Sequence, residues 1–135
     1  MILYDGYWDH GNYSGKGKKQ YVNRDVFTGN WVNGYKQGEG EYKHYDGTTY
    51  KGTYHHGKKH GDNCSLVFSN GMSYRGPFRD GMKSGQGILI MPDSKVYKGS
   101  FVRDLFEGSG VLYFAEDPKN PLSTRELTSP IPINS

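Results

Sequence analysis

From residue 27 the chain reads Phe27-Thr28-Gly29-Asn30-Trp31-Val32-Asn33-Gly34, then Gly38-Glu39-Gly40-Glu41-Tyr42, then Asp46-Gly47. Two aromatic residues four apart, with glycine between them, lie on one face of a strand because strand side chains alternate. Gly34 and its neighbours supply a turn, and Gly38 to Tyr42 begins a returning strand. The pattern predicts one β-hairpin of roughly twenty residues.

The same pattern occurs five times. It begins with Tyr4, Gly6, Trp8, Gly11, Gly15 and Gly17, and recurs as Phe27, Gly29, Trp31, Gly34, Gly38 and Gly40. Next come Tyr50, Gly52, Tyr54, Gly57 and Gly61, with Asn63 where glycine is expected, and then Tyr74, Gly76, Phe78, Gly81, Gly85 and Gly87. The last unit is Tyr97, Gly99, Phe101, Asp104 in the turn slot, Gly108 and Gly110. Successive starts are 23, 23, 24 and 23 residues apart. A fixed period of this size marks a repeat architecture.

Each slot has a physical task. The strand glycine leaves a hole beside its two rings, over which an aromatic ring from an adjacent strand can lie. The turn glycine suits a positive φ, which Asp104 also tolerates at some cost. The paired glycines allow close backbone approach where the second strand begins. Beyond them Leu89 and Met91, or Leu112 and Phe114, alternate as apolar residues, and Asp46-Gly47 and Asn70-Gly71 turn the chain into the next unit. Matching Leu66 and Phe68 to these apolar positions places the extra residue of the third unit between Gly61 and Leu66, with a bulge expected near Asn63-Cys64. The first returning strand carries Lys19 and Tyr21 in apolar slots, and a charged edge is expected there.

The fold class is therefore all-β: an elongated single antiparallel sheet of about five stacked hairpins, curved by strand twist. The array occupies residues 1–114, and about ten strands at roughly 4.8 Å each make a sheet on the order of 45 Å long. Residues 115–135 contain Pro118, Pro121, Pro130 and Pro132 and are expected to form an irregular tail. Ser123 to Leu127 has room for one helical turn at most. The alternative is that Ile131 and Ile133 dock as an extended strand.

Composition agrees with a sheet of sparse, large core residues. Only 33% of residues are hydrophobic and mean hydropathy is -0.84, yet aromatics reach 15% and glycines number 20. A net charge of +3 is too small for a dedicated nucleic-acid binder, and nucleic acid is not expected as a partner. Cys64 is the single cysteine, which excludes an internal disulfide and reads as a buried thiol. No apolar run approaches the roughly 18 residues of a membrane span, and Met1 to Gly6 is too short and polar for a signal peptide. A cytoplasmic setting and a natural start at Met1 are the expectations.

No catalytic constellation is evident, and neither an enzyme activity nor a cofactor is expected. His55, His56 and His60 fall around a lysine-bearing turn and suit solvated loop residues, with Cys64 the one soft atom near them. Gly15-Lys16-Gly17-Lys18-Lys19 lacks the Lys-Ser/Thr ending and the following helix of a phosphate-binding loop.

The recurring Tyr-x-Gly-x-Trp/Tyr/Phe, the turn glycine and the Gly-x-Gly resemble the membrane occupation and recognition nexus (MORN) repeat, over residues 4 to about 114. Phe27 to Thr49 is similar to a consensus unit throughout, and His60-Gly61 is another familiar dipeptide. Departures are Asn63, Asp104 and Lys19. The resemblance implies a non-catalytic binding module, with a cytoskeletal or ciliary assembly as the favoured setting.

Two surfaces are candidates for that binding. The aromatic row of Tyr4, Trp8, Phe27, Trp31, Tyr50, Tyr54, Tyr74, Phe78, Tyr97 and Phe101 is expected to floor a groove for a helical or extended segment of a protein partner. Alternatively, Lys36, Lys59 and Lys83 recur at one offset and, with Lys16, Lys18 and Lys19, would form a basic edge for anionic lipid. Homodimerisation through a terminal strand is compatible with either.

Overall fold

The computed structural model describes residues 3–93, 95–117 and 120–134, and every regular element among them is a strand of one antiparallel sheet. The first unit is β1 (Tyr4–Asp9) and β2 (Asn12–Gln20), and the second is β3 (Val26–Val32) and β4 (Tyr35–Lys43). The third comprises β5 (Thr49–His55), β6 (Lys58–Lys59) and β7 (Gly61–Val67). The fourth comprises β8 (Ser73–Arg79), β9 (Met82–Lys83) and β10 (Gly85–Ile90), and the fifth is β11 (Lys95–Val102) with β12 (Leu105–Asp117). The strands follow chain order across the sheet, with β6 pairing only β5 and β9 only β8.

The turn slot behaves as its glycines require. Asn33 and Gly34 have φ of 50° and 81°, and both central residues of the turn inside each unit are likewise left-handed, the geometry of a two-residue type I′ loop. Each of these turns also hangs on the unit before it. The amides of Gly34, Gly57, Gly81 and Asp104 donate to the carbonyls of Tyr13, Lys36, Lys59 and Lys83 at 2.8–3.1 Å. Asp104 offsets the lost glycine further, since its carboxylate accepts from the Lys83 amide at 2.7 Å.

The strand glycines lie under rings, but the ring comes from their own strand. Phe27 folds back over Gly29 and over Gly40, its neighbour on β4, so a Cβ at Gly40 would sit 2.5 Å from the Phe27 Cε1. In the third unit the register shifts between Gly61 and Cys64, the bulge expected there. Once it is passed, Cys64 lies opposite Gly76, as Gly40 lies opposite Gly52. The buried thiol thus replaces the second glycine, and the extra residue falls in Asp62-Asn63.

Nine rings, Tyr4 to Phe101, form a continuous zigzag. In each unit from the second on, the second ring stands edge-on between the lead ring of its own unit and that of the preceding unit. Tyr54 is 5.2 Å from both Phe27 and Tyr50, and Phe78 is 5.3 Å from both Tyr50 and Tyr74. Edge-to-face pairs of this kind contribute about 0.5–1.5 kcal/mol beyond their buried area.

Two expectations are corrected. Lys19 and Tyr21 do not mark an edge, because β2 is paired on both sides; the outer strand is β1. Nor do the described residues after 114 form an irregular tail. β12 runs on to Asp117, and β13 (Asn120–Asn134) pairs along it, with Leu112 opposite Ile131 and Gly110 opposite Ile133. The extended-strand alternative is the one found. An outermost strand, paired on one side only, tolerates Pro121, Pro130 and Pro132 better than a central strand does.

Because Phe27 already occupies the space above it, Gly40→Ala is expected to destabilise the fold by about 1–3 kcal/mol. Denaturant unfolding of the full chain, Gly40→Ala against wild type, measures it.

Candidate functional site

The ring-bearing face is the only one whose side chains are organised by every repeat, and it differs from an open aromatic groove. Phe27, Trp31, Tyr50, Tyr54, Tyr74, Phe78, Tyr97 and Phe101 are all buried and constitute the core. Tyr4 is half-buried, and Trp8 is 61% exposed because no earlier lead ring flanks it. The rings are therefore covered, and the surface belongs to what covers them.

The cover is the ninth residue after each lead ring: Tyr13, Lys36, Lys59, Lys83 and Phe106. It follows the type I′ turn, pairs with the second ring across the hairpin, and lies over its own lead ring. Tyr13 stacks on Tyr4 at 3.9 Å, and Phe106 meets Tyr97 edge-on at 4.5 Å. In the three middle units an ammonium takes this place: Lys36 over Phe27 at 5.4 Å, Lys59 over Tyr50 at 5.3 Å and Lys83 over Tyr74 at 5.6 Å. Both ends of the array are thus capped by rings and its middle by lysines. Lysine serves because its methylenes seal the rings while its charge faces the π clouds and the solvent.

This placement splits the basic edge expected from sequence. Lys19, Lys36, Lys59 and Lys83 are half-buried on the ring-bearing face, where Lys19 lies over Tyr13 and Tyr21 at 5.0 and 4.9 Å. Lys16 and Lys18 are exposed on the opposite face, because the strand alternates and Lys16 shares a trough there with Thr28 and Asn30. The six lysines form no single edge.

Lys36 and Lys59 flank a cavity of about 300 Å³, whose walls include Tyr42, His44 and Tyr54. Lys36 lies within 5.1–5.7 Å of the rings of Tyr21, Phe27, Tyr42 and Tyr54. Burial, reinforced by the charges of Lys19 and Lys59, lowers the Lys36 pKa from its ordinary value. Burial lowers that of Lys59 too, with Asp104 opposing and Lys83 adding to the effect. Lys83 is paired with Asp104 at 3.7 Å, whereas neither Lys36 nor Lys59 has a carboxylate partner among the described residues.

Tyr54 is the anomaly of this cavity. It is 4% exposed, and its hydroxyl is the one buried side-chain polar atom among the described residues without a hydrogen bond. The lead tyrosines avoid this: Tyr50 and Tyr74 donate to the carbonyls of Thr53 and Pro77 three residues on, at 2.7 and 2.9 Å. The second-ring slot has no such acceptor, and Phe78 and Phe101 occupy it without a hydroxyl. Burial pushes the Tyr54 pKa up, so the group is a neutral donor.

One polar cluster beside this face escaped the sequence reading. Asp25, 5% exposed in the turn before β3, accepts from the Tyr42 hydroxyl at 2.8 Å, the Tyr45 amide at 2.8 Å and the Asn23 amide nitrogen at 3.1 Å. His44 Nδ1 stands 3.4 Å away. Burial acts to raise its pKa, but these hydrogen bonds and His44 overcome it and hold the carboxyl below its usual range. Asp25 clamps the first unit to the second.

The opposite face carries an open trough of about 660 Å³ with Lys16, Glu39, Glu41 and Lys51 interleaved, which presents no net charge of either sign. His55 ends β5 while His56 and His60 lie outside the strands: His55 Nδ1 lies 3.3 Å from Gln37 Nε2, and His60 Nδ1 accepts from the Asp80 amide at 3.4 Å. Among the described residues no three His, Cys, Asp or Glu side chains gather as a metal site. No described helix is long and apolar enough to cross a membrane.

A single sheet of stacked hairpins, each leaning on the rings of the one before, defines an all-β hairpin-repeat architecture. The chain belongs to the MORN repeat family: the repeat matches at residues 4–26, 27–49, 50–61, 74–96 and 97–116, more than half the chain. The third match ends at Gly61, where the register shift begins. A comparison with curated proteins finds no match.

Two outcomes test this geometry. Tyr54→Phe deletes the unpaired hydroxyl and is expected to raise stability by about 1 kcal/mol in denaturant unfolding, whereas most buried substitutions lower it. Since the folded pKa of Asp25 is depressed, its contribution is present above the ordinary aspartate pKa of about 3.9 and is lost as pH falls through the folded value. Asp25→Asn should therefore be less stable than wild type at pH 7, with the difference narrowing as pH is lowered below about 4 in urea titrations.

Proposed function

We propose that this chain is a non-catalytic scaffold that holds an elongated segment of another protein along the ring-bearing face. The observation that carries the reading is the file of half-buried lysines at the cover slots of three successive units, Lys36, Lys59 and Lys83, with Lys19 beside them. Each unit spans two strands, so the file repeats at about 9.6 Å. Equal chemistry at equal intervals along a line suits a linear ligand rather than a compact one. The contact surface is the lysine cover and the half-buried Tyr21, Tyr42 and Phe68 beside it, in place of the buried rings. The setting proposed is a cytoplasmic cytoskeletal or ciliary assembly.

Anionic lipid is the less favoured reading. A bilayer surface is met by charges that project from the protein, whereas these ammonium groups fold back over rings and Lys83 is only 16% exposed.

Selection of peptides from a random displayed library, followed by amide NMR mapping, tests the scaffold reading. The expected result is an enriched set of linear peptides that shift Lys36, His44, Lys59 and Gly81. Peptides that perturb only the trough around Thr28, Glu41 and Lys51 would overturn it, as would an absence of enrichment together with binding to phosphatidylserine vesicles.

A further inference from the structure

Three features meet at the boundary of the second and third units. Two half-buried lysines, Lys36 and Lys59, face one cavity and have no carboxylate partner among the described residues. A 96%-buried tyrosine lining the same cavity keeps an unpaired hydroxyl. The nearest acids are committed elsewhere, Asp25 to Tyr42, Tyr45 and Asn23, and Asp104 to Lys83. A donor of one hydrogen bond and two desolvated cations with no anion between them leave the protein short of one acceptor carrying negative charge.

We infer that this cavity takes a carboxylate side chain of an acidic segment in the bound protein, held between Lys36 and Lys59 with the Tyr54 hydroxyl donating to it. This rests on the scaffold reading and adds the chemistry of the segment. Half-burial of the two lysines favours such a ligand, because a partly desolvated charge gains more from its partners than one met at an exposed edge. The repeat of about 9.6 Å matches three residues of a polyproline II strand, at about 3.1 Å each, so that acidic residues at every third position would meet successive units on one face. Lys83 is then a second contact, available when Asp104 releases it, and Lys19 a third.

The deprived hydroxyl also fits this role. Phenylalanine, found at the same slot in the two following units, would leave no buried group unpaired. Tyrosine at this one position costs stability in the free protein, and a bound carboxylate repays it.

Isothermal titration of the full chain with a synthetic peptide of about a dozen residues bearing Glu at every third position tests the inference, its Gln counterpart serving as control. The Glu peptide should bind about tenfold or more tightly than the Gln peptide. Lys36→Gln/Lys59→Gln should remove that preference. Lys36→Met, which keeps the alkyl cover over the rings and so guards against simple unfolding, should weaken it as well. Tyr54→Phe should weaken binding several-fold while its unfolding midpoint rises, a combination that loss of structure does not produce. Lys16→Gln/Lys18→Gln, on the opposite face, should leave affinity unchanged.

Equal binding of the Glu and Gln peptides would overturn the inference, as would an equal loss from the Lys16/Lys18 pair, which would indicate general charge attraction. If the library instead yields peptides that bind the ring-bearing face and carry no acidic residue, the acidic inference fails and the scaffold reading stands. Binding of phosphatidylserine vesicles dependent on Lys36 and Lys59, with no peptide bound, would overturn both.

Discussion

A ring wedged edge-on between two others is the contact on which this molecule depends. Tyr54 needs Phe27 from the second unit and Tyr50 from the third, at 5.2 Å each, and neither hairpin supplies both. No unit can complete its own core. The sheet hydrogen bonds and the turn ladder run along the same axis, so three sets of contacts, rings, strands and turns, all cross the same boundaries between units. Stability is then shared between nearest neighbours and the ends need special treatment. Tyr13 and Phe106 supply it by capping the terminal lead rings with aromatic surface.

The same constraint makes the surface. Rings that must interlock cannot also be offered to a ligand, and here eight of them are buried. What varies from unit to unit is the residue laid over them. Its backbone is fixed twice, by the hairpin pair to the second ring and by the turn amide of the next unit, so only its side chain is free to change. At Lys36 that side chain does two jobs, apolar cover through its methylenes and a charge at the surface. A repeat of this kind can change its ligand without changing its fold.

Much of this was legible in the chain. The hairpins, the left-handed turn at Gly34 and its equivalents, and the bulge in the third unit are encoded by neighbours in sequence, where glycine and aromatic spacing have direct geometric meaning. The cover over the rings is not legible, because alternation puts the rings on one face but does not say what folds over that face. That depends on residues nine positions on, across a turn and a bulge. The second glycine slot of the third unit reads as Asn63 for a related reason: until the insertion is located Asn63 stands at the glycine's number, and only the pairing of Cys64 with Gly76 resolves it. Asp25 looks like any polar turn residue, and two of its three donors, Tyr42 and Tyr45, lie 17 and 20 residues away. The tail's prolines argue against a central strand, and they are silent about an outermost one.

Tyr54 shows how a repeat marks a site. In a periodic protein each slot has its own internal control, because the same backbone position is occupied several times under nearly the same constraints. Trp31 uses its indole N–H on the Gly17 carbonyl at 3.4 Å, and Phe78 and Phe101 carry no polar atom to satisfy. Only at Tyr54 does the second ring bring a hydroxyl into the core with nothing to receive it, and there two lysines that repel one another also converge. Either feature alone would be a local imperfection. Both lower the stability of the free protein at the same boundary, and an anionic ligand relieves both at once, whereas it could relieve neither at the paired Lys83 without first displacing Asp104.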